Sequence, residues 1–139
     1  TGDIVQLDPA TGSVLRTVAS NLTCPTLAID PLSSDLFFND TCFGAGSDNP
    51  SIWRVRDPAS GTPVIEVYAT LPGTPAGAMS FAPDGTLYAN YAYTSATPGL
   101  VRITGPDRPA PPVVTPITDV QTDYWVRVAE ANPRYQAPP

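Results

Sequence analysis

Neither histidine nor lysine occurs in this chain of 139 residues. Without histidine there is no imidazole base, no Ser-His-Asp arrangement and none of the commonest transition-metal ligand. Without lysine no Schiff base can form. Charge is scarce as well: 14% of residues are charged, against a usual share of about a quarter. All the positive charge is arginine, and the formal net charge is −6. An acidic chain does not neutralise phosphates, which excludes a nucleic-acid binder, and it does not suit an anionic membrane surface. No apolar run approaches the roughly 20 residues of a membrane-spanning helix. No segment carries a 3.6-residue apolar stripe of helical length.

What is present points to β-structure. Hydrophobic residues make up 42% of the chain, too many for a disordered segment. Eighteen prolines and ten glycines accompany them. Proline at that density is hostile to helices and central strands, and suits many short strands joined by turns. The length fits one domain. A start at Thr1 without Met reads as a processed or excised product.

Comparing the chain with itself gives its organisation. Ile4-Val5-Gln6-Leu7 returns as Ile52-Trp53-Arg54-Val55 and as Leu100-Val101-Arg102-Ile103, in steps of 48 residues. A turn follows each copy. Asp8-Pro9-Ala10-Thr11-Gly12 and Asp57-Pro58-Ala59-Ser60-Gly61 are near copies, and Thr104-Gly105-Pro106-Asp107 stands third. Pro presets a turn φ and Gly supplies a positive one, so these are turns with a mechanism. The next strand recurs in Val14 to Leu22, Pro63 to Leu71 and Val113 to Val120. Thr26-Leu27-Ala28-Ile29-Asp30-Pro31 pairs with Ala78-Met79-Ser80-Phe81-Ala82-Pro83, and Leu36-Phe37-Phe38-Asn39 with Leu87-Tyr88-Ala89-Asn90. Each unit thus holds four short strands between turn signals. Four-stranded units of 40 to 50 residues are the mark of a propeller blade, and a β-sandwich is the alternative.

The run Pro83-Asp84-Gly85-Thr86-Leu87-Tyr88-Ala89-Asn90, followed by Gly99-Leu100-Val101-Arg102-Ile103, resembles blades of the NHL, SMP-30/gluconolactonase and virginiamycin B lyase-like propellers. The likeness covers most of the chain and rests on scaffold residues, so it bears on fold more than on function. It implies an all-β fold of antiparallel four-stranded blades in an incomplete ring. It also implies a phase. Residues 1–22 hold the last two strands of a first blade, 23–71 and 72–120 are full blades, and 121–139 hold the inner strand of a further blade and a linker-like tail. In that tail Val128 to Pro133 matches Ala78 to Pro83 at a shift of 50. An arc of about two and a half blades falls short of the four that a closed ring needs. The expected partners are the rest of a longer polypeptide, another subunit, or further copies that complete the ring. An isolated arc exposes large apolar patches.

The candidate sites are few. Gluconolactonase-like propellers hold a divalent cation with Asn, Asp and Glu oxygens, and Asn39, Asp40 and Asn90, with Glu130, are the residues here that match. Calcium wants six to eight such oxygens. The other reading is that Asn ends a strand because it tolerates left-handed geometry, with no cofactor. A virginiamycin-type lyase is expected to use a histidine, which this chain lacks. Tyr91 and Tyr93, beyond Asn90, and Trp125 are candidate ligand-stacking surfaces, whereas Trp53 and Tyr88 lie on strands and pack between blades. Cys24 precedes an inner strand and Cys42 follows its neighbour. Two free core thiols are one reading. A bridge is the other, and it would close a loop of about 18 residues, worth about 3 kcal/mol, and place the chain in an oxidising compartment. Asn21-Leu22-Thr23 and Asn39-Asp40-Thr41 are N-glycosylation sequons. No catalytic residue stands out. The leading expectation is a non-catalytic extracellular or cell-surface (or periplasmic) propeller segment, a scaffold or a protein- or glycan-binding module. An arc of a gluconolactonase-like metal hydrolase and a structural subunit of a surface assembly are the alternatives.

Overall fold

The computed structural model describes residues 2–40, 50–73, 75–91, 99–104 and 112–118. All regular structure there is strand: β1 (Gly2–Leu7), β2 (Val14–Leu22), β3 (Pro25–Ile29), β4 (Leu36–Asp40), β5 (Ser51–Arg56), β6 (Val64–Thr70), β7 (Pro75–Phe81), β8 (Leu87–Tyr91), β9 (Gly99–Thr104) and β10 (Val113–Thr118). They form a two-stranded sheet, β1-β2, and two four-stranded sheets, β3-β4-β5-β6 and β7-β8-β9-β10. Every pairing is antiparallel and joins strands adjacent in sequence. This is the fold class expected from the sequence: all-β, antiparallel four-stranded units, not closed into a barrel, consistent with blades of an incomplete propeller. Among the described residues no helix is long and apolar enough to cross a membrane.

The prolines lie where a missing N–H costs least. Pro25 and Pro75 open β3 and β7, and Pro116 lies in β10, all edge strands of their sheets. Turn chemistry closes the hairpins. At the β3–β4 turn, Asp30 N–H donates to Asp35 O and Ser34 N–H to Asp30 O, with Ser34 at φ 65°. At the β7–β8 turn one residue fewer does the same work: Ala82 N–H donates to Thr86 O, and Gly85 N–H to Ala82 O at φ 80°. A glycine at that left-handed position carries no Cβ penalty.

The two near-identical turns, Asp8-Pro9-Ala10-Thr11-Gly12 and Asp57-Pro58-Ala59-Ser60-Gly61, fold differently. Asp8 N–H donates to Ser13 O and Gly12 N–H to Asp8 O, the pattern of the Asp30 turn. Asp57 instead donates its N–H to the Asp35 carboxylate (3.0 Å), takes φ 50°, and accepts from Ser60 N–H. A carboxylate from the neighbouring turn captures the donor that would otherwise close the local loop.

The three sheets stack in chain order. Ile4 of β1 packs with Leu36, Phe38 and Val55 on one face of the middle sheet. Phe37, Ile52 and Ala69 on the other face pack against Leu87, Ala89, Val101 and Ile103 of the third. Sheets covered on both faces read as continuous apolar runs, which is why Leu36-Phe37-Phe38 does not alternate. Phe37 sits at the centre, with Tyr68 and Phe81 edge-on at 4.9 and 5.0 Å between ring centroids. Its removal to alanine would cost about 3–5 kcal/mol. The middle and third sheets approach within 8 Å, Cα to Cα, where β3 and β4 meet β7. Flat stacked sheets keep about 10 Å. The outer strands β6 and β10 make no comparable approach among the described residues. The middle and third sheets therefore lie closest at β3 and β7.

Candidate functional site

The stack divides the expected cation ligands. Successive side chains on a strand point to opposite faces. Asn39 shares the Phe37 face, toward the third sheet. Asp40 shares the Phe38 face and lines a groove of about 450 Å³ with Val18, Leu22 and Trp53. Asn90 lies opposite in sense to Leu87 and Ala89, so it faces away from the middle sheet. The three groups face three different spaces, and each has an oxygen already engaged. Asn39 Oδ1 accepts from Thr26 Oγ1 (2.9 Å). Asp40 Oδ1 accepts from Thr23 N–H (2.6 Å) and Cys24 N–H (3.0 Å), fastening the β2–β3 link to the end of β4. Asn90 Oδ1 accepts from Ala78 N–H (3.0 Å), standing in for a ladder carbonyl where the β7–β8 register is irregular. Asn39 and Asn90 are buried in strands, and neither has a positive φ. Left-handed turn geometry therefore does not account for them. Glu130 lies outside the described residues. Among the described residues no three His, Cys, Asp or Glu side chains stand together as a metal group.

The aromatic candidates separate too. Tyr91 is not a surface residue: it is the last residue of β8, 6% exposed, and belongs to the core between the middle and third sheets. It continues the inward set Leu87, Ala89, Tyr91. Its partner across the ladder is Gly99, where an added Cβ would lie 2.6 Å from the Tyr91 hydroxyl and closer still to Thr118 O. Period-two alternation and the glycine opposite are the signals that place it. Tyr93 and Trp125 lie outside the described residues. Trp53 stacks on Phe38, centroids 6.3 Å apart and planes 13° apart, in the contact with the first sheet. Of the two sequon asparagines, Asn21 is exposed and Asn39 is fully buried. Cys24 is not a free thiol, and Cys42 lies outside the described residues.

Charge gathers where the hairpin turns meet, a feature the repeat pattern does not announce. Arg54 Nε donates to Asp35 Oδ2 (2.7 Å), and its Nη2 donates to the same oxygen. The guanidinium also lies over the Phe37 ring, 5.9 Å from its centroid. Asp30 accepts from Leu32 N–H (3.0 Å) and Ser33 Oγ (2.6 Å). These carboxylates have protein donors, which makes them struts. At the next turn Thr86 N–H donates to the exposed Asp84 and holds its carboxyl below the ordinary value.

A surface formed for contact lies along the inner strands. A cleft of about 370 Å³ runs between β3 and β7, lined by Leu27, Ala28, Ile29, Pro31, Met79, Ser80, Phe81 and Pro83. Among the described residues the lining has no titratable side chain, and backbone groups give its exposed surface a polar share larger than the apolar one. The Asp30–Asp35 and Ala82–Thr86 bonds set the ladder alternation, which directs the N–H and C=O groups of Leu27, Ile29, Met79 and Phe81 away from their partner strands. The inner edges thus combine apolar side chains with open backbone groups, equipment for binding an extended chain rather than for proton transfer. No family model, curated protein or solved structure matches this chain.

Proposed function

We propose that the chain is an extracellular arc of a β-propeller of the NHL and gluconolactonase-like type, acting as a non-catalytic scaffold or interaction module. The observation that carries this reading is the stacking of two four-stranded sheets, closest at β3 and β7, with a cleft between these inner strands whose described lining has no titratable side chain. The absence of His and Lys supports it. So does the direction of Asn39, Asp40 and Asn90 into separate spaces. The bound molecule is a protein segment or a glycan, held by apolar side chains and strand edges.

The extracellular location rests on a Cys24–Cys42 bridge. Pro25 is paired with Asp40, and Asp40 binds the Cys24 N–H, so Cys24 stands beside the end of the strand that leads to Cys42. Mass measurement of the purified chain with and without reductant and thiol label tests the bridge. Metal analysis tests the non-catalytic reading. Stoichiometric calcium or zinc that is lost on Asn90→Ala would overturn it; no bound metal in either protein, with lactonase substrates left unchanged, is the expected result.

A further inference from the structure

Ile29 and Phe81 hold the same place in successive units, as do Leu27 and Met79. Ile29 pairs with Leu36 and Phe81 with Leu87; Leu27 pairs with Phe38 and Met79 with Ala89. Yet Leu27 and Ile29 are 50% and 65% exposed, whereas Met79 and Phe81 are partly buried against the core. The difference is what lies over them. Phe81 is covered by the ring of Phe37, which comes from β4, the strand beside β5. In the first sheet β1 holds the place of β5, Gln6 standing where Arg54 stands. Among the described residues β1 pairs with β2 alone. Among the described residues no strand carries a counterpart of Phe37 over Ile29, and a cavity of about 200 Å³ opens between Gln6, Ile29, Leu36 and Pro58. Beside it Arg16 donates through Nε to Gln6 Oε1 (2.8 Å), while its buried Nη2 has no acceptor.

We infer that the free edge of β1, with Leu27 and Ile29, is the docking site of an antiparallel β-hairpin of this chain's own repeat type, supplied by a further propeller unit. This rests on reading the sheets as blades. The strand that pairs with β1 carries an aromatic residue opposite Gln6, as Phe37 lies opposite Arg54. That ring covers Ile29 as Phe37 covers Phe81. A carboxylate in the hairpin turn, in the place of Asp35, gives Arg16 Nη2 its acceptor. Backbone hydrogen bonds to β1 supply affinity, and the aromatic residue supplies register.

The chain contains the probe: a synthetic peptide of residues Pro25–Asp40, which spans the β3–β4 hairpin with Asp35 and Phe37 and lacks cysteine. Titration of labelled peptide with the full chain should give saturable 1:1 binding. Ile29→Asp in the chain, at an exposed position, should weaken it about tenfold or more, as should Phe37→Ser in the peptide. Absence of saturable binding overturns the assignment, as does binding indifferent to both changes. Self-association of the chain that Ile29→Asp abolishes also overturns it, because a second copy then covers the face. The blade reading fails separately: nuclear Overhauser contacts between the Phe37 and Phe81 rings report the stacking of the middle and third sheets. Their presence without peptide binding removes the docking site alone; their absence removes both.

Discussion

Arg54 and Asp35 close on each other across two hairpin turns, and the equivalent residues of the next unit, Arg102 and Thr86, do not. The side chains of the pair are 15% and 7% exposed, whereas Arg102 is exposed. Breaking a buried pair strands the remaining charge, at about 3–5 kcal/mol. Asp35→Ala should lower stability by about 3 kcal/mol in urea unfolding, because it removes the carboxylate that accepts from both the Arg54 guanidinium and the Asp57 N–H. Arg102→Met should change it by about 0.5 kcal/mol or less. Equal effects of the two substitutions would remove the pair from any structural role.

Asn39 is the buried amide whose Nδ2 has no partner. A buried donor left unsatisfied costs about 1–3 kcal/mol, whereas replacing both partners of a bond by apolar groups is nearly neutral. The double substitution Thr26→Val with Asn39→Leu should therefore match or exceed the parent in stability, by about 1 kcal/mol at most. A clear loss in chemical denaturation would show that the Thr26–Asn39 bond outweighs the unpaired Nδ2.

Gly99 is needed for the room it leaves. Gly99→Ala sets a methyl against Thr118 O and the Tyr91 ring, and overpacking of this kind costs about 1–3 kcal/mol. Thermal unfolding should show the loss. Gly61→Ala, where nothing lies within 4 Å, should leave the melting temperature nearly unchanged. Similar melting temperatures for both variants would contradict the packing at the β8–β9 end.

Asp84 gives the hairpin turn a pH dependence. The Thr86 N–H holds its carboxyl below the ordinary value, so the unfolded chain takes up this proton at higher pH than the folded chain. The contribution is complete above the ordinary carboxylate range and is lost as pH falls through that range toward the lower, folded value. Melting temperature should fall more steeply on the acid side for the parent than for Asp84→Asn. Parallel acid limbs would show that the turn bond does not distinguish the two states.

The strands were legible in the sequence because their signals are local. Leu36 to Asn39 and Leu87 to Asn90 announce strands by composition, and Asp-Pro and Asp-Gly announce turns. Which face a side chain takes was less legible. Tyr91 reads as a loop residue until β8 is extended by one position, when it falls in phase with Leu87 and Ala89. The Asn39 and Asn90 positions read as strand ends, yet both are buried. The capture of Asp57 N–H by Asp35 lies 22 residues away in sequence, and nothing in the Asp-Pro-Ala-Ser-Gly motif signals it. Pairings across turns depend on how hairpins sit side by side, and single-turn sequence carries no trace of that.

The close approach of β3 to β7 bears on what such units can build. If further sheets repeated this contact, each would turn the growing object through an angle, and the stack would not extend as a straight rod. In the propeller proposed above, taper would then set the number of units, much as the stones of an arch fix its span.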